Sequence, residues 1–525
     1  MSTGNSWRIE LRELNAAAPG VAAFRSVAGD SEAVWLDSSL PSSAHYARTF
    51  SILCPAGGPL NTVLSVQVAG GSSLFPDANP FHFHSSNPLS EQLEAALSTA
   101  DSASSASPTV FDLLQLGLDL VDVPAEQGSN PSGFNLGWVG AFGYELKHHV
   151  DGVRQSPTAV RTSHRSVHPD ALLMLADRAL ITDHAERKTY LLVLTSDDPA
   201  HSTIAAAQSA WLDWAEDVVR ELAGQPELTE HTEASAEPGT EPHIEPELTF
   251  HADHSHTEYV DAVLQAQAHI ADGDSYEVCL TTTVEGPALP DPFTVYQRMR
   301  QTSPVPYGAY IHLAGIHVLS ASPERFFQVD EQGRVSAKPI KGTRARSEDA
   351  GEDERWRREL GESSKDRAEN LMIVDLLRND LSAIAVPGSV RVPKLFAVES
   401  YSHVHQLVST VEAMLAPGHT AVDVLRVAFP GGSMTGAPKI RTMELIEQLE
   451  HRARGLYSGS IGWFAFGGAA DQSITIRTVV SDSERSTFGV GGAIVVDSTP
   501  EGEWEEAQVK SRALLQALRG CWEQH

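Results

Sequence analysis

From Tyr276 onward the chain is built of short strand-like runs that follow one another through turns, with helices inserted at uneven intervals. YEVCLTTTVEG, GAYIHLAGIHVLSASPE and RFFQVDEQGRVSAKPIKGT come first. VHQLVSTVEAML, GSIGWFAFG, DQSITIRTVVSD and STFGVGGAIVVDS follow. Helical apolar spacing covers Thr257 to Ala271, Ser364 to Ile384, Ile440 to Leu449 and Glu503 to Arg519. A doubly wound parallel sheet needs a regular strand–helix–strand beat, and that beat is missing. The pattern therefore predicts an α+β fold of largely antiparallel sheets.

The N-terminal half carries the same mixture. RALITDHAERKTYLLVLTS, from Arg178, predicts two strands around a charged turn, and His201 to Leu222 predicts a helix. Leu97 to Pro108, LSTADSASSASP, predicts a surface loop. Between the halves runs GQPELTEHTEASAEPGTEPHIEPE, with no Lys or Arg. Such a stretch buries little apolar area and reads as an acidic linker or long exposed loop. The expected organisation is an N-terminal region over 1–223, a linker over 224–250 and a C-terminal region over 251–525.

Charge narrows the function. Lys+Arg 38 against Asp+Glu 69 gives a net charge of −31 over 525 residues, which repels nucleic acid and anionic membranes. No run of about 18 apolar residues occurs, so no membrane helix is expected. Cys54, Cys279 and Cys521 are far apart and odd in number, which disfavours a disulfide framework and a zinc site. With no apolar leader visible near the start, the expectation is a cytoplasmic protein.

Two helices carry carboxylates three residues apart: Asp366 with Glu369, and Glu503 with Glu506, Lys510 following one turn later. Like charges at this spacing cost an isolated helix about 0.2–0.5 kcal/mol per pair. They suit a hard cation such as Mg2+, which takes oxygen ligands and bridges to anionic substrates. The same spacing also describes two solvated faces in an acidic protein. PIKGT, FPGGSMTGAPK and GVGGAIV are glycine-rich turns able to aim backbone N–H groups at an anion, or simply tight turns. The middle one lacks the Gly-Lys-Ser/Thr of a nucleotide P-loop. Lys341 in PIKGT is either a nucleophile, if its environment frees its lone pair, or a carboxylate holder. Glu324 in SASPERF ends a strand-like run, where a general acid or an ordinary surface glutamate could stand. His82 and His84, and His251, His254 and His256, mimic metal ligands but fall in predicted loops.

SPERF, PIKGTRAR, SKDRAENLMIVDLLRNDL, VPKLFAVESYSHVHQLVSTV, FPGGSMTGAPKIRTMELIEQLE, RGLYSGSIGWFAFGG, SITIRTVV and GGAIVVDSTPEGEWEEAQVK occur in unbroken order through 255–515. Together they resemble the chorismate-utilising enzymes, a family that includes anthranilate, aminodeoxychorismate, isochorismate and salicylate synthases. VWLDSS and GFNLGWVGAFGYELK extend the resemblance, more weakly, into the N-terminal half.

The resemblance implies a sandwich of two antiparallel sheets flanked by helices, with intertwined halves and the active site mainly in the C-terminal one. A lysine in PIKGT, where other branches carry Ala, implies amination of chorismate at C4 to 4-amino-4-deoxychorismate, for para-aminobenzoate and folate synthesis. It further implies Lys341 as the covalent nucleophile, Glu324 as general acid and His405 near the C4 oxygen. Gly342, Thr343, Ser433, Tyr457, Arg477, Gly491 and Lys510 would bind the substrate carboxylates. Asp366, Glu369, Glu503 and Glu506 would hold Mg2+. Ammonia would come from a separate glutamine amidotransferase, since no cysteine here sits in a glycine elbow. Some relatives bind tryptophan in the N-terminal half, where Trp35 to Ser39 lies. Ala493, Thr281 to Thr283, Ala345 and Glu277 depart from the usual pattern; isochorismate-forming relatives carry a water-activating lysine at the place of Glu277. The rival readings are an anthranilate synthase component I and a non-catalytic regulatory subunit.

Overall fold

The computed structural model describes residues 7–39, 50–68, 80–103, 107–121, 130–150, 153, 164–225, 248–401 and 404–523. Most of the expected acidic linker, residues 226–247, lies outside them. Among the described residues the strands form two sheets, of 13 and 11 strands. Pairing is antiparallel, except that Leu248–Ala252 lies parallel to Gly520–Glu523 at one edge. The α+β expectation holds.

Neither sheet belongs to one side of the linker. In the larger, Ala33–Asp37 pairs with Tyr307–Leu313. In the smaller, Gly137–Phe142 pairs with Ser460–Ala465. The predicted strands Arg178–Asp183 and Lys188–Ser196 form a hairpin, and the helix after them spans Ser202–Leu222.

Side-chain alternation explains the layering. Along Ala33–Asp37, Val34 and Leu36 enter the core between the sheets, while Ala33 and Trp35 enter a second core under the outer helices. Along Lys188–Ser196, Leu192 and Leu194 face inward, and Leu191 and Val193 outward. A strand covered on both faces reads as a continuous apolar run, because successive side chains point to opposite sides. Each fully buried Leu or Val contributes about 1.5–3 kcal/mol.

The segment Leu97 to Pro108 differs from its expected loop: the helix Pro88–Ala103 runs through its first part. Leu89, Leu93 and Leu97 recur at helical spacing and are buried. The hydroxyls of Ser98 and Thr99 donate to the carbonyls of Glu94 and Ala95, so polar residues join the helix without breaking it.

Two helices matter most below. Ser364–Ser382 opens on Ser363, whose hydroxyl accepts from the Asp366 amide, and buries Ile373, Val374, Leu377 and Leu381. Its Asn370 donates to the Pro339 carbonyl, just before the strand Ile340–Ala345, and accepts from Ser409 in the strand Val404–Met414. Pro500–Leu518 starts with proline in its first turn and buries Trp504, Ala507, Ser511, Leu514 and Leu518 along one stripe.

Candidate active site

A cavity of about 600 Å³ opens between these two helices and the strand ends they cover. Lys341, Gly342 and Thr343 enter it from Ile340–Ala345, at the edge of the smaller sheet. Gly491 and Gly492 enter from Arg485–Ile494 in the larger sheet. Asp366 and Glu369 come from one helix, Glu503, Glu506 and Lys510 from the other. Glu324, Ser433, Tyr457 and Arg477 complete the wall. Every residue predicted for the site lines this cavity except His405.

Two glycines are required by close approach. Gly342 has φ +79°, and a Cβ there would stand 2.6 Å from an Asp366 carboxylate oxygen. A Cβ on Gly492 would meet Glu503 Oε2 at 2.8 Å and Glu506 Oε1 at 3.4 Å, so both carboxylates hang over bare backbone.

Charge is interleaved across the cavity. Lys341 Nζ donates to Glu277 Oε1 at 3.0 Å and stands 4.0 Å from Glu369. Burial alone would lower the lysine pKa, but Glu277 and Glu369 outweigh it and hold Lys341 firmly as ammonium. Lys510 Nζ pairs with Glu506 at 2.6 Å and donates to the Gly491 carbonyl at 2.8 Å. Arg344 reaches Asp366 at 3.3 Å, and Lys365 stands 3.9 Å from Glu369. Burial pushes the Glu324 carboxyl up to about 7, against the opposing effects of Lys341 and the Ser433 hydroxyl. Ser433 donates to Glu324 Oε1 at 3.4 Å. Burial likewise raises Glu369 and Glu503 above the ordinary carboxylate range.

The donor set fits a hydrated hard cation. All four candidate ligands are carboxylates facing one space, and Glu503 Oε2 is buried without a hydrogen-bond partner. Among the described residues no three His, Cys, Asp or Glu side chains cage an ion unaided.

His405 is placed elsewhere. Its side chain is 1% exposed, Nδ1 meets the Ser400 hydroxyl at 2.7 Å, and Nε2 meets Asp353 at 3.0 Å. Both ring nitrogens are engaged outside the cavity, by the helix Ala350–Glu362 that carries Asp353 and the strand Arg391–Ser400 that ends in Ser400.

Sequence reasoning also missed how Glu277 is used. It was read as a departure from a lysine pattern, but it sits against Lys341, with its second oxygen buried and unpartnered. Beneath the site lies a buried ion pair, Glu450 with Arg454 at 2.6 Å. Arg454 also donates to the carbonyls of Met434 and Cys279, tying two walls of the cavity together. Trp35 to Ser39 forms a buried strand end whose Asp37 is engaged by Arg300, Tyr296 and Ser51. His84, His254 and His256 are held by Ser65, Thr282 and Glu501. All three cysteines are free thiols. Among the described residues no helix is long and apolar enough to cross a membrane.

Comparison with known proteins gives consistent matches. Residues 80–516 match the family of chorismate binding enzymes. An aminodeoxychorismate synthase of Streptomyces griseus is 42% identical over 484 residues, 92% of this chain and 60% of that protein. The chain thus spans about three fifths of that relative's length. Aminodeoxychorismate synthase component 1 of Escherichia coli K12 is 34% identical over 426 residues, 81% of this chain and 86% of that one. Anthranilate synthase component I from Streptococcus pneumoniae superposes with a TM-score of 0.64 at 25% identity, covering 90% of this chain and 94% of that one.

Proposed function

Since the chain belongs to the chorismate binding enzyme family, we propose that it aminates chorismate at C4, giving 4-amino-4-deoxychorismate. The observation that carries this reading is Lys341 Nζ, set in the cavity between Glu277 and the acidic helix and facing the same space as Glu324. A second component, a glutamine amidotransferase, would supply ammonia; the "component 1" in a relative's name supports a partner of some kind.

The residues divide the work as follows. Arg477, Lys510 and the backbone and hydroxyl donors of Gly342, Thr343, Ser433, Tyr457 and Gly491 hold the two substrate carboxylates. Glu277 takes a proton from Lys341, freeing the lone pair that adds at C2. The ring double bonds shift, the C4–O bond breaks, and Glu324 protonates the departing oxygen, which leaves as water. Ammonia then forms the C4–N bond, the double bonds shift back, and the C2–N bond returns its electrons to Lys341. Lys341 recovers its proton from Glu277, and the new ammonium gives one to Glu324. Two displacements leave the amino group on the face that the hydroxyl held. Mg2+ held by Asp366, Glu369, Glu503 and Glu506 would supply charge stabilisation for the substrate carboxylate.

Mass spectrometry of the products from chorismate, ammonium and Mg2+ tests the proposal. A product that gains nitrogen, loses the hydroxyl and keeps the enolpyruvyl group, and that disappears in Lys341→Ala, supports it. Anthranilate with free pyruvate replaces it with the rival synthase. Chorismate left untouched, with an amidotransferase and glutamine also present, leaves a non-catalytic subunit.

A further inference from the structure

Tyr457 reaches the active-site cavity from a turn rather than from a helix or strand. The turn is strained. Ser458, the next residue, is fully buried with φ +66°, a backbone conformation that a residue other than glycine keeps only where its surroundings over-determine it. One clamp lies downstream: the Ser458 amide donates to the Thr475 carbonyl, and the Thr475 amide to the Gly459 carbonyl, each at 2.9 Å. The upstream clamp comes from the other side of the acidic linker. Glu145, in the short helix Tyr144–His149, is 5% exposed. Its Oε1 accepts from the Arg454 amide and its Oε2 from the Gly455 amide, each at 2.9 Å. The Ser166 hydroxyl donates to the same carboxylate at 3.3 Å. The Tyr144 amide donates to the Gly455 carbonyl at 2.8 Å, and its ring lies between Lys147 Nζ at 4.2 Å and the Arg454 guanidinium at 4.5 Å. Lys147 in turn pairs with Glu447 at 3.2 Å.

We propose that Glu145 is a positioning residue for substrate binding: it holds the turn that aims the Tyr457 hydroxyl at a chorismate carboxylate. The inference rests on the substrate site read above. Every residue lining the active-site cavity lies between Cys279 and Leu514, so the N-terminal region touches no substrate there. It acts instead through the backbone that carries one of those residues. Hydrogen bonds from backbone amides to a carboxylate are charge-assisted, shorter and stronger than bonds between neutral groups. Two of them on successive amides fix the direction in which the chain enters the turn, and the Thr475 bonds fix the direction in which it leaves. With both flanks held, the strained Ser458 cannot relax by swinging the Tyr457 ring out of place. The Tyr457 hydroxyl is thereby set before the substrate arrives, and no binding free energy is lost to ordering it.

A double-mutant cycle tests this, read as chorismate affinity by isothermal calorimetry with Mg2+ present and ammonium absent. Glu145→Gln keeps the shape of the side chain but turns an NH2 group toward one of the two amide donors. Tyr457→Phe removes the hydroxyl. Each alone is expected to weaken binding about tenfold, and Glu145→Gln made in the Tyr457→Phe chain to weaken it by less than about twofold more, because residues that act through one contact are not additive. A carboxylate with a merely structural role lowers stability and leaves the two losses additive, and that result overturns the proposal. Unchanged affinity in Glu145→Gln overturns it as well. If urea unfolding shows that Glu145→Gln does not fold, Glu145→Asp keeps the charge, falls one methylene short of spanning both amides, and is read in the same cycle. An unsubstituted chain that does not bind chorismate overturns the substrate site itself, and the positioning role with it.

Discussion

Nζ of Lys341 lies 3.0 Å from Oε1 of Glu277, a carboxylate whose side chain is 1% exposed. In the mechanism proposed above, this buried carboxylate both aims the lysine and stores its proton. Glu277→Ala removes that acceptor. Expected is a fall in kcat of about 10²–10⁴-fold, the range for a lost proton-transfer partner, with KM for chorismate little changed and Glu277→Asp recovering part of the rate. An unaltered kcat in Glu277→Ala refutes this role.

Glu324 sets the expected pH dependence. Its carboxyl is pushed up to about 7 by burial, and the general-acid role proposed for it requires it to start protonated. The competent form prevails below that value and thins as pH rises through it. The prediction is a kcat/KM that declines above about pH 7, with Glu324→Gln losing both the rate and this limb of the profile. A profile flat between about pH 6 and about pH 8 assigns the acid to another group.

Metal removal gives a third expectation. EDTA should abolish product formation and Mg2+ should restore it. Glu503, whose Oε2 is buried without a hydrogen-bond partner, is the most informative of the four proposed ligands to change. Glu503→Gln should raise the Mg2+ concentration for half-maximal rate by at least about tenfold, a cost that even outer-shell partners reach. Turnover untouched by EDTA counts against the acidic helices as a metal site.

Stability should depend on the pair beneath the floor. Burial would raise the Glu450 pKa, but Arg454 and Arg452 outweigh it and hold it down to about 2. Because the folded value lies below the ordinary one, the contribution is present above the usual carboxylate range and fades as pH falls toward about 2. Arg454→Met leaves that carboxylate poorly compensated and should cost about 3–5 kcal/mol in urea unfolding. A loss under about 1 kcal/mol would show that the pair is worth no more than a surface one.

Local periodicity carried much of the fold into the sequence. The hairpin Arg178 to Ser196 and the helix Ser202–Leu222 were legible because each draws its pattern from contiguous residues. The pairing of Ala33–Asp37 with Tyr307–Leu313 was not, since strand order is decided by contacts that no local pattern records. The same divide runs through the site. Motif strings brought Lys341, Glu324 and the four acids to one cavity. They did not reveal that Glu277 holds Lys341 from 64 residues away. Nor did they reveal that the ring nitrogens of His405 are taken by Ser400 and by Asp353, which stands 52 residues away in the chain.

The exchange of strands between the halves also bears on synthesis. Ala33–Asp37 and Gly137–Phe142 are translated early, but their partners Tyr307–Leu313 and Ser460–Ala465 emerge much later. Until then each early strand leaves the ribosome with an open edge, the kind of surface that recruits stray chains. The helix bearing Glu503 and Glu506 follows all four of these strands in the chain. A nascent chain that lacks it therefore holds no complete site, and the early edges stay open until Ser460–Ala465 has emerged.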